Sequence, residues 1–342
     1  MNVGTTVAAA GPAAAHVAGP AVPLPGAIGA AAVAGVCFVV AVVLYPSLVS
    51  VLGRAGAGQQ VQEYSPETHR AKAGTPTMGG LLFCVMAFAV WLAIDRSQRG
   101  FVIVYALVGG ASVGLLDDLA NVRGLGSLGL EVRQKLLLEV VVGVAVGLGL
   151  HAVGATAQDL PGAGMLNLGW WIVPLAAIAV VATTNAVNLT DGVDGLAASC
   201  MAIALGGALA TAVWLGAGSA GVLAATLLGT LVAFLLFNWH PARIFMGDTG
   251  ALGLGSALTA ICVEAHLLWL LPLLGIVFVV ETASVIVNVT AITRFHRRVF
   301  RASPLHHHFE KMGIGEERLV LLFSAGGVAA LALTLLTVHA VV

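Results

Sequence analysis

The sequence predicts an all-α polytopic membrane protein of about ten transmembrane helices with both termini outside. Three observations carry that expectation. Hydrophobic residues make up 59% of the 342 and charged residues only 9%, where an ordinary soluble domain carries about 25% charged residues. The mean hydropathy is +1.01. Apolar runs close to the ~20 residues that a helix needs to cross hydrocarbon recur along the chain, separated by short polar connections. The four cysteines, Cys37, Cys84, Cys200 and Cys262, all fall inside apolar runs with no Cys-x-x-Cys pair. That pattern fits buried, reduced thiols rather than disulfides or a zinc site. The formal net charge is −1, and no nucleic-acid partner is expected.

Residues 1–26 are rich in Ala, Gly, Pro and Val and contain no Lys or Arg. A secretory signal would begin with a basic segment, so they read as a flexible N-terminal extension. Residues 27–342 read as a single transmembrane catalytic domain. Spans are expected at about 27–52, 77–94, 101–116, 136–154, 170–188, 195–215, 220–237, 250–265, 267–289 and 318–340. Tight connections at 95–100, 216–219 and 265–267 imply antiparallel neighbours. There is no internal repeat of the kind found in many transporters.

Lysine and arginine orient the chain. Arg54, Arg70, Lys72, Arg123, Arg133, Lys135, Arg243, Arg294, Arg297, Arg298, Arg301, Lys311 and Arg318 fall in, or at the edge of, odd-numbered connections. Only Arg96 and Arg99 fall in an even-numbered one. The positive-inside rule then makes the odd connections cytoplasmic.

The polar clusters gather on that same side. Asn185 to Gly195 reads Asn-Ala-Val-Asn-Leu-Thr-Asp-Gly-Val-Asp-Gly between two apolar runs. Carboxylates and amides are costly in lipid, so the cluster is expected to face a wet, protein-lined cavity rather than to form an ordinary loop. Asp191 and Asp194 share a face if this is a helical turn. Lys72 to Gly80 offers a cation followed by a rigid Pro76 turn into the second span. Asp117 and Asp118 close the third span. Such a pair can share a metal, raise one pKa toward a useful base, or simply be solvated span-end charges. Arg133 and Lys135 would neutralise nearby phosphates or act only as inside-positive anchors. In Asn238 to Gly250, Asp248 stands between glycines at the start of the eighth span, an oxygen ligand that suits Mg²⁺. Phe245 could stack on a base, although such a Phe is more often an interfacial anchor. The ninth connection carries Pro304-Leu305-His306-His307-His308-Phe309-Glu310, whose consecutive histidines cannot all bind one metal. Glu281, inside an apolar run, is either functional or the buried partner of a helix break. Glu139 is expected to reach the interface.

Taken together, Gly74–Gly80, Asp117-Asp118, Arg133–Lys135, Asn185–Gly195, Asn238–Gly250 and Pro304–Glu310 resemble the polyprenyl-phosphate N-acetylhexosamine-1-phosphate transferase superfamily. The triple histidine with Phe309-Glu310 is similar to its phospho-N-acetylmuramoyl-pentapeptide transferase branch. One residue departs: Asn121 stands where family members often carry lysine. The resemblance implies ten helices, a homodimer in the bacterial plasma membrane, and a cytoplasmic Mg²⁺ site. It implies UDP-MurNAc-pentapeptide as donor and undecaprenyl phosphate as acceptor, giving UMP and the first lipid-linked peptidoglycan precursor. By position, Asn188 and Asp248 would hold Mg²⁺. Lys72, Thr77, Asp191, Asp194, Asn238 and Phe245 would surround the nucleotide. Asp117 and Asp118 would act on the lipid phosphate with Lys135 supplying charge, and His306, His307 and His308 would lie by the donor's diphosphate or sugar. A UDP-GlcNAc-dependent transferase is the alternative within enzymes; an ion-coupled transporter or flippase is the alternative outside them.

Overall fold

The computed structural model describes residues 26–58, 74–123, 129–160 and 164–341. The extension up to residue 25, Lys72, and Ser127 of the third connection lie outside the described residues. The chain is a helical bundle. Its elements are α1 (Ala27–Arg54), α2 (Leu81–Val90, prolonged by a π turn Trp91–Asp95), α3 (Gln98–Val122) and α4 (Val132–Ala152). A small antiparallel hairpin follows, β1 (Ala157–Leu160) with β2 (Gly164–Asn167), in which Gln158 faces Leu166. Then come α5 (Ile172–Thr190), α6 (Leu196–Leu215), α7 (Gly218–Asn238), α8 (Gly247–Glu264), the short α9 (Leu271–Leu274), α10 (Ile276–Phe295), α11 (Leu305–Glu310) and α12 (Glu316–Val341).

Among the described residues, eight helices are long and apolar enough to cross a bilayer. The remaining two expected runs correspond to Leu81–Asp95, which is shorter, and to α8. The sequence of α8, Gly-Asp-Thr-Gly-Ala-Leu-Gly-Leu-Gly-Ser, explains its low hydropathy: small residues let neighbouring backbones approach closely. Every residue from Thr249 to Glu264 is buried, so α8 is the central pillar and needs no lipid-facing apolar surface. α1, α4, α10 and α12 lie at the periphery, with most of their apolar side chains facing outward.

The expected 267–289 run is broken. Leu268–Leu270 and Leu271–Leu274 form separate turns, and α10 restarts after Gly275 and continues to Phe295. Both arginines of the even connection have partners, but only one of those partners is an acid. Arg99 pairs with Glu264 at 3.2 Å, and the Arg96 guanidinium donates to the Leu92 carbonyl.

Candidate active site

The site is assembled around the N-terminus of α8. Gly114 in α3 lies so close to that terminus that a Cβ there would sit 2.1 Å from the Asp248 carbonyl oxygen. This approach brings Asp117 and Asp118, one turn further along α3, to the first turn of α8. Asp118 is 7% exposed and its carboxylate caps the helix. Its Oδ1 accepts from the Asp248 amide at 3.2 Å. Its Oδ2 accepts from the Thr249 amide at 2.9 Å and the Thr249 hydroxyl at 2.6 Å. Two backbone donors that a helix start would otherwise leave unpaired, and the Thr249 hydroxyl, are satisfied by an anion at the positive end of the dipole.

Asp117 points elsewhere. Its Oδ1 accepts from the Leu130 amide at 2.8 Å, and its Oδ2 lies 4.0 Å from Lys135 Nζ. The Lys135 ammonium also pairs directly with Asp248 Oδ2. Asp248 Oδ1 accepts from Asn188 Nδ2 at 2.6 Å. Four expected site residues (Asp117, Lys135, Asn188 and Asp248) thus form one cluster drawn from α3, α4, α5 and α8.

Two cavities meet at this cluster. The first, about 270 Å³, is lined by Thr77, Asp118, Asn121, Val122, Asn188, Asp191, Gly192, Val193, Asp194, Asn238, Phe245, Gly247 and Asp248. Its wall is held by backbone pairing: the Phe245 amide donates to the Pro76 carbonyl, and the Gly79 amide donates to the Phe245 carbonyl. Asn238 is a clamp, with Oδ1 accepting from the Gly195 amide at 3.1 Å and Nδ2 donating to the Ile244 carbonyl at 3.0 Å. Asp191 ends α5, and the Asp191–Asp194 stretch is a turn rather than a helix. Asp194 is buried and accepts from the Ala242 amide, while His240 and Glu316 close on it. One ligand atom from each of these three residues lies within 4.8 Å of the others, a second grouping that could hold a metal ion.

The second cavity, about 530 Å³, is largely apolar. It is lined by Leu130, Val132, Leu136, Val181, Ala182, Asn185 and Thr282, with Asp117 and Lys135 as its charged end. A further apolar cavity of about 300 Å³ shares Ala182 with it and runs between α5, α8 and α10 past Leu175, Ile178 and Phe278.

The histidines are not in the first cavity. They ride on α11, which begins at Pro304, rather than in a loop. His306 is fully buried, and a Cβ on Gly192 would lie 2.5 Å from its Nε2. His307 Nδ1 meets Glu310 Oε2 at 2.5 Å, and His308 Nδ1 accepts from the Arg301 amide at 3.1 Å. Glu281 is buried within α10 and partners no helix break; it caps the start of α11, accepting from the Leu305 and His306 amides at 2.6 and 3.1 Å. Glu139 does not reach the interface. It is 3% exposed and takes the amide of Asn185, because α5 packs across it before the helix end. This Glu139–Asn185 pair borders the cluster and was not foreseen. Asn185 stood in the polar stretch, but its partner lies 46 residues away.

The oxygen-rich set suits a hard cation. Asp248 Oδ2 and Asp117 Oδ2 converge on the Lys135 ammonium, and turning over the Asn188 amide presents its oxygen beside Asp248 Oδ1.

Comparison with known proteins adds four findings. Residues 99–266 match the glycosyl transferase family 4 model, and residues 72–84 match signature 1 of phospho-N-acetylmuramoyl-pentapeptide-transferase. The chain is 45% identical over 295 residues to the phospho-N-acetylmuramoyl-pentapeptide-transferase of Moorella thermoacetica, covering 84% of this chain and 92% of the relative. It is 41% identical over 300 residues to the enzyme of that name from Geobacillus kaustophilus, covering 85% and 92%.

Proposed function

The chain belongs to the phospho-N-acetylmuramoyl-pentapeptide transferase family, and from that premise we propose how its residues divide the reaction. The donor, UDP-MurNAc-pentapeptide, places its nucleotide end in the 270 Å³ cavity. The acceptor, undecaprenyl phosphate, lays its prenyl tail along the apolar cavities and its phosphate against Asp117 and Lys135. One observation carries this reading: Lys135 lines the acceptor cavity while its ammonium touches Asp248, which lines the donor cavity. The contact is where a lipid phosphate and a donor diphosphate would meet.

Attack of a phosphate monoester on a diphosphate gathers negative charge, so positioning and neutralisation dominate the barrier. Asp248 and the Asn188 amide oxygen, with Asp117 beside them, would hold Mg²⁺, which when bound offsets charge on the donor's diphosphate. Lys135 supplies a further positive charge. Asp117 orients or deprotonates the lipid phosphate; direct attack is preferred, and an aspartyl-phosphate route would instead make Asp117 or Asp118 the nucleophile. Asp118, with three hydrogen bonds into α8, is suited to fixing Asp248 rather than to attack. Thr77, Asp191, Asp194, Asn238 and Phe245 surround the nucleotide, with Phe245 against uracil. Lys72 would approach from the segment preceding Gly74. His306 supports the donor loop from behind Gly192, and His307 and His308 extend that support. The arginine-rich connections support a cytoplasmic site in a bacterial plasma membrane. The apolar outer faces of α1 and α12 are compatible with a homodimer.

The test is release of UMP by purified protein given the UDP-linked donor and undecaprenyl phosphate, with and without Mg²⁺. Release should require both the lipid and the metal. UDP-GlcNAc should not compete with the donor. UMP release without lipid at the full rate, or preference for UDP-GlcNAc, would overturn the assignment of the two cavities or of the donor.

A further inference from the structure

α10 is the odd helix of the bundle. It stands at the periphery, yet its one buried stripe (Val277, Phe278, Glu281, Ser284, Asn288 and Ala291) is half polar. Burying polar groups in a membrane helix is costly unless each is hydrogen-bonded, so the stripe must have a built partner. That partner is the chain itself, returning after Phe295 along the same helix. Asn288, 3% exposed, accepts on Oδ1 from the Val299 and Phe300 amides at 3.1 and 3.2 Å. Its Nδ2 donates to Ser303 Oγ at 3.2 Å. Seven residues earlier, two turns along the same face, fully buried Glu281 accepts from the first two amides of α11. Its Oε1 also lies 3.3 Å from His306 Nδ1. The other ring nitrogen of His306 is aimed at Gly192, where no side chain could fit, and Gly192 is a wall of the donor cavity.

These contacts form a continuous path from a peripheral helix to the donor cavity: Asn288, the 299–303 segment, α11, His306 and Gly192. We propose that Asn288 is a positioning residue for the donor. Together with Glu281 it clasps the returning segment against α10, so that His306 holds the Gly192 turn in its donor-binding shape. Nothing in the clasp touches the cavity directly. Asn288 would therefore act on donor affinity more than on the chemical step. The Glu281 carboxylate alone fixes only the start of α11. Without Asn288 the segment that delivers α11 has no side-chain tie to α10 among the described residues before Leu305.

The kinetic half of this proposal rests on the reading under Proposed function; the structural half does not. Hydrogen exchange of the full-length protein in nanodiscs, without substrate, is compared among wild type, Asn288→Ala and Asn288→Asp. Asn288→Asp keeps an acceptor for the two amides. In Asn288→Ala, peptides covering 299–308 and 190–196 should both exchange about tenfold faster, the effect of losing a pair of buried hydrogen bonds. Peptides from α8 should not change. Asn288→Asp should restore protection in both loops. In steady-state assays Asn288→Ala should raise the donor KM several-fold more than it lowers kcat, and Asn288→Asp should recover it. Faster exchange in 299–308 with an unchanged 190–196 loop would overturn the proposal, as would an unmoved donor KM with both loops released. If Asn288→Ala also releases α8, Ser303→Ala decides, since it removes only the donated hydrogen bond. Loosening of both loops supports the clasp, and loosening of 299–308 alone overturns it. A wild-type chain that releases no UMP would refute the assigned reaction, while the exchange measurements would still decide the clasp.

Discussion

The two ends of α8, about 24 Å apart along a 16-residue rise, carry similar chemistry to different ends. At one end Asp248 meets Lys135; at the other Glu264 meets Arg99. Each end also has a buried aspartate serving hydroxyl and amide donors. Asp118 takes Thr249 and the first amides of α8, and Asp95 takes the Ser97 and Ser219 hydroxyls at 3.0 Å. What differs is the space beside them. Asp118 and Asp248 line the donor cavity, and Asp117 and Lys135 line its neighbour, whereas neither Glu264 nor Asp95 lines these cavities, the 300 Å³ apolar one, or a cavity of about 470 Å³ between α3 and α4 beside Gln98 and Tyr105. An intramembrane acid is therefore not a site by virtue of being buried and charged. It becomes one where the packing leaves room for a second anion to approach.

That contrast predicts opposite phenotypes at the two ends. The largest effect belongs to Asp248. Asp248→Ala removes the partner of both Lys135 and Asn188 without touching the Asp118 cap, which binds the backbone amide. Transfer should fall by about a thousandfold or more, while detergent-purified protein stays folded, with a lowered melt because Lys135 keeps only Asp117 at 4.0 Å. UMP release and a thermal melt on the same sample check this. Near-normal turnover would remove the carboxylate from the mechanism, and full activity in excess EDTA would remove Mg²⁺.

Adjacent Asp117 and Asp118 sharpen the comparison within one end. Asp117→Asn keeps an acceptor for the Leu130 amide, so stability should hold while turnover drops about a hundredfold. Asp118→Asn has one oxygen for three donors. It should cost about 1–3 kcal/mol of stability, with turnover falling because Asp248 loses its platform. Denaturation midpoints and kcat measured side by side separate the two. The same pair tests the covalent route: labelled donor without lipid should leave no adduct on either aspartate. A trapped adduct found by rapid quench and peptide mass spectrometry on the timescale of turnover would make that aspartate the nucleophile.

How much of this was legible in the sequence follows from where the partners lie. Asp117, Asp118 and Asp248 could be read because carboxylates at the mouths of apolar runs violate the hydropathy pattern locally. The division of labour between Asp117 and Asp118 could not, since it depends on which of two adjacent side chains meets α8, and that is fixed by the close approach at Gly114. Glu139 was misread because its distance from the start of α4 suggested an interface, while its burial comes from Asn185 on another helix. Asn288 carried a signal, an amide within an apolar run, but nothing local names its partner, which is a segment that returns to it only in the fold. α11 is only six residues long and its N-cap is Pro304, which is not among the residues that usually cap a helix, so nothing local announced it. The strands Ala157–Leu160 and Gly164–Asn167 have no alternation to reveal them. The α8 span was found, but its small residues hid that it is the buried centre.

The smallest effect on activity is expected at the far end of α8, and its sign on stability can be worked out. The Glu264 side chain is 3% exposed, but that of Arg99 is 39% exposed, so solvent screens their attraction and the pair is worth about 1 kcal/mol or less. Glu264→Gln gives up that attraction but also relieves the cost of a buried carboxylate, and the two changes oppose each other. The melting temperature should move by no more than about 2 °C in either direction. Arg99→Gln is not its mirror image. It leaves the carboxylate buried without its cation, a loss that is fully felt because Glu264 cannot turn out to water from the last turn of a buried helix. Arg99→Gln should therefore destabilise clearly more than Glu264→Gln, and the double variant should recover most of the difference. In all three proteins kcat and the donor KM should stay within about twofold of wild type, since neither Arg99 nor Glu264 lines a cavity that meets the Lys135–Asp248 cluster. A tenfold loss of turnover in Glu264→Gln with an unchanged melt would mean that charge at this end reaches the reaction through α8, and the two ends would then have to be treated as one coupled site.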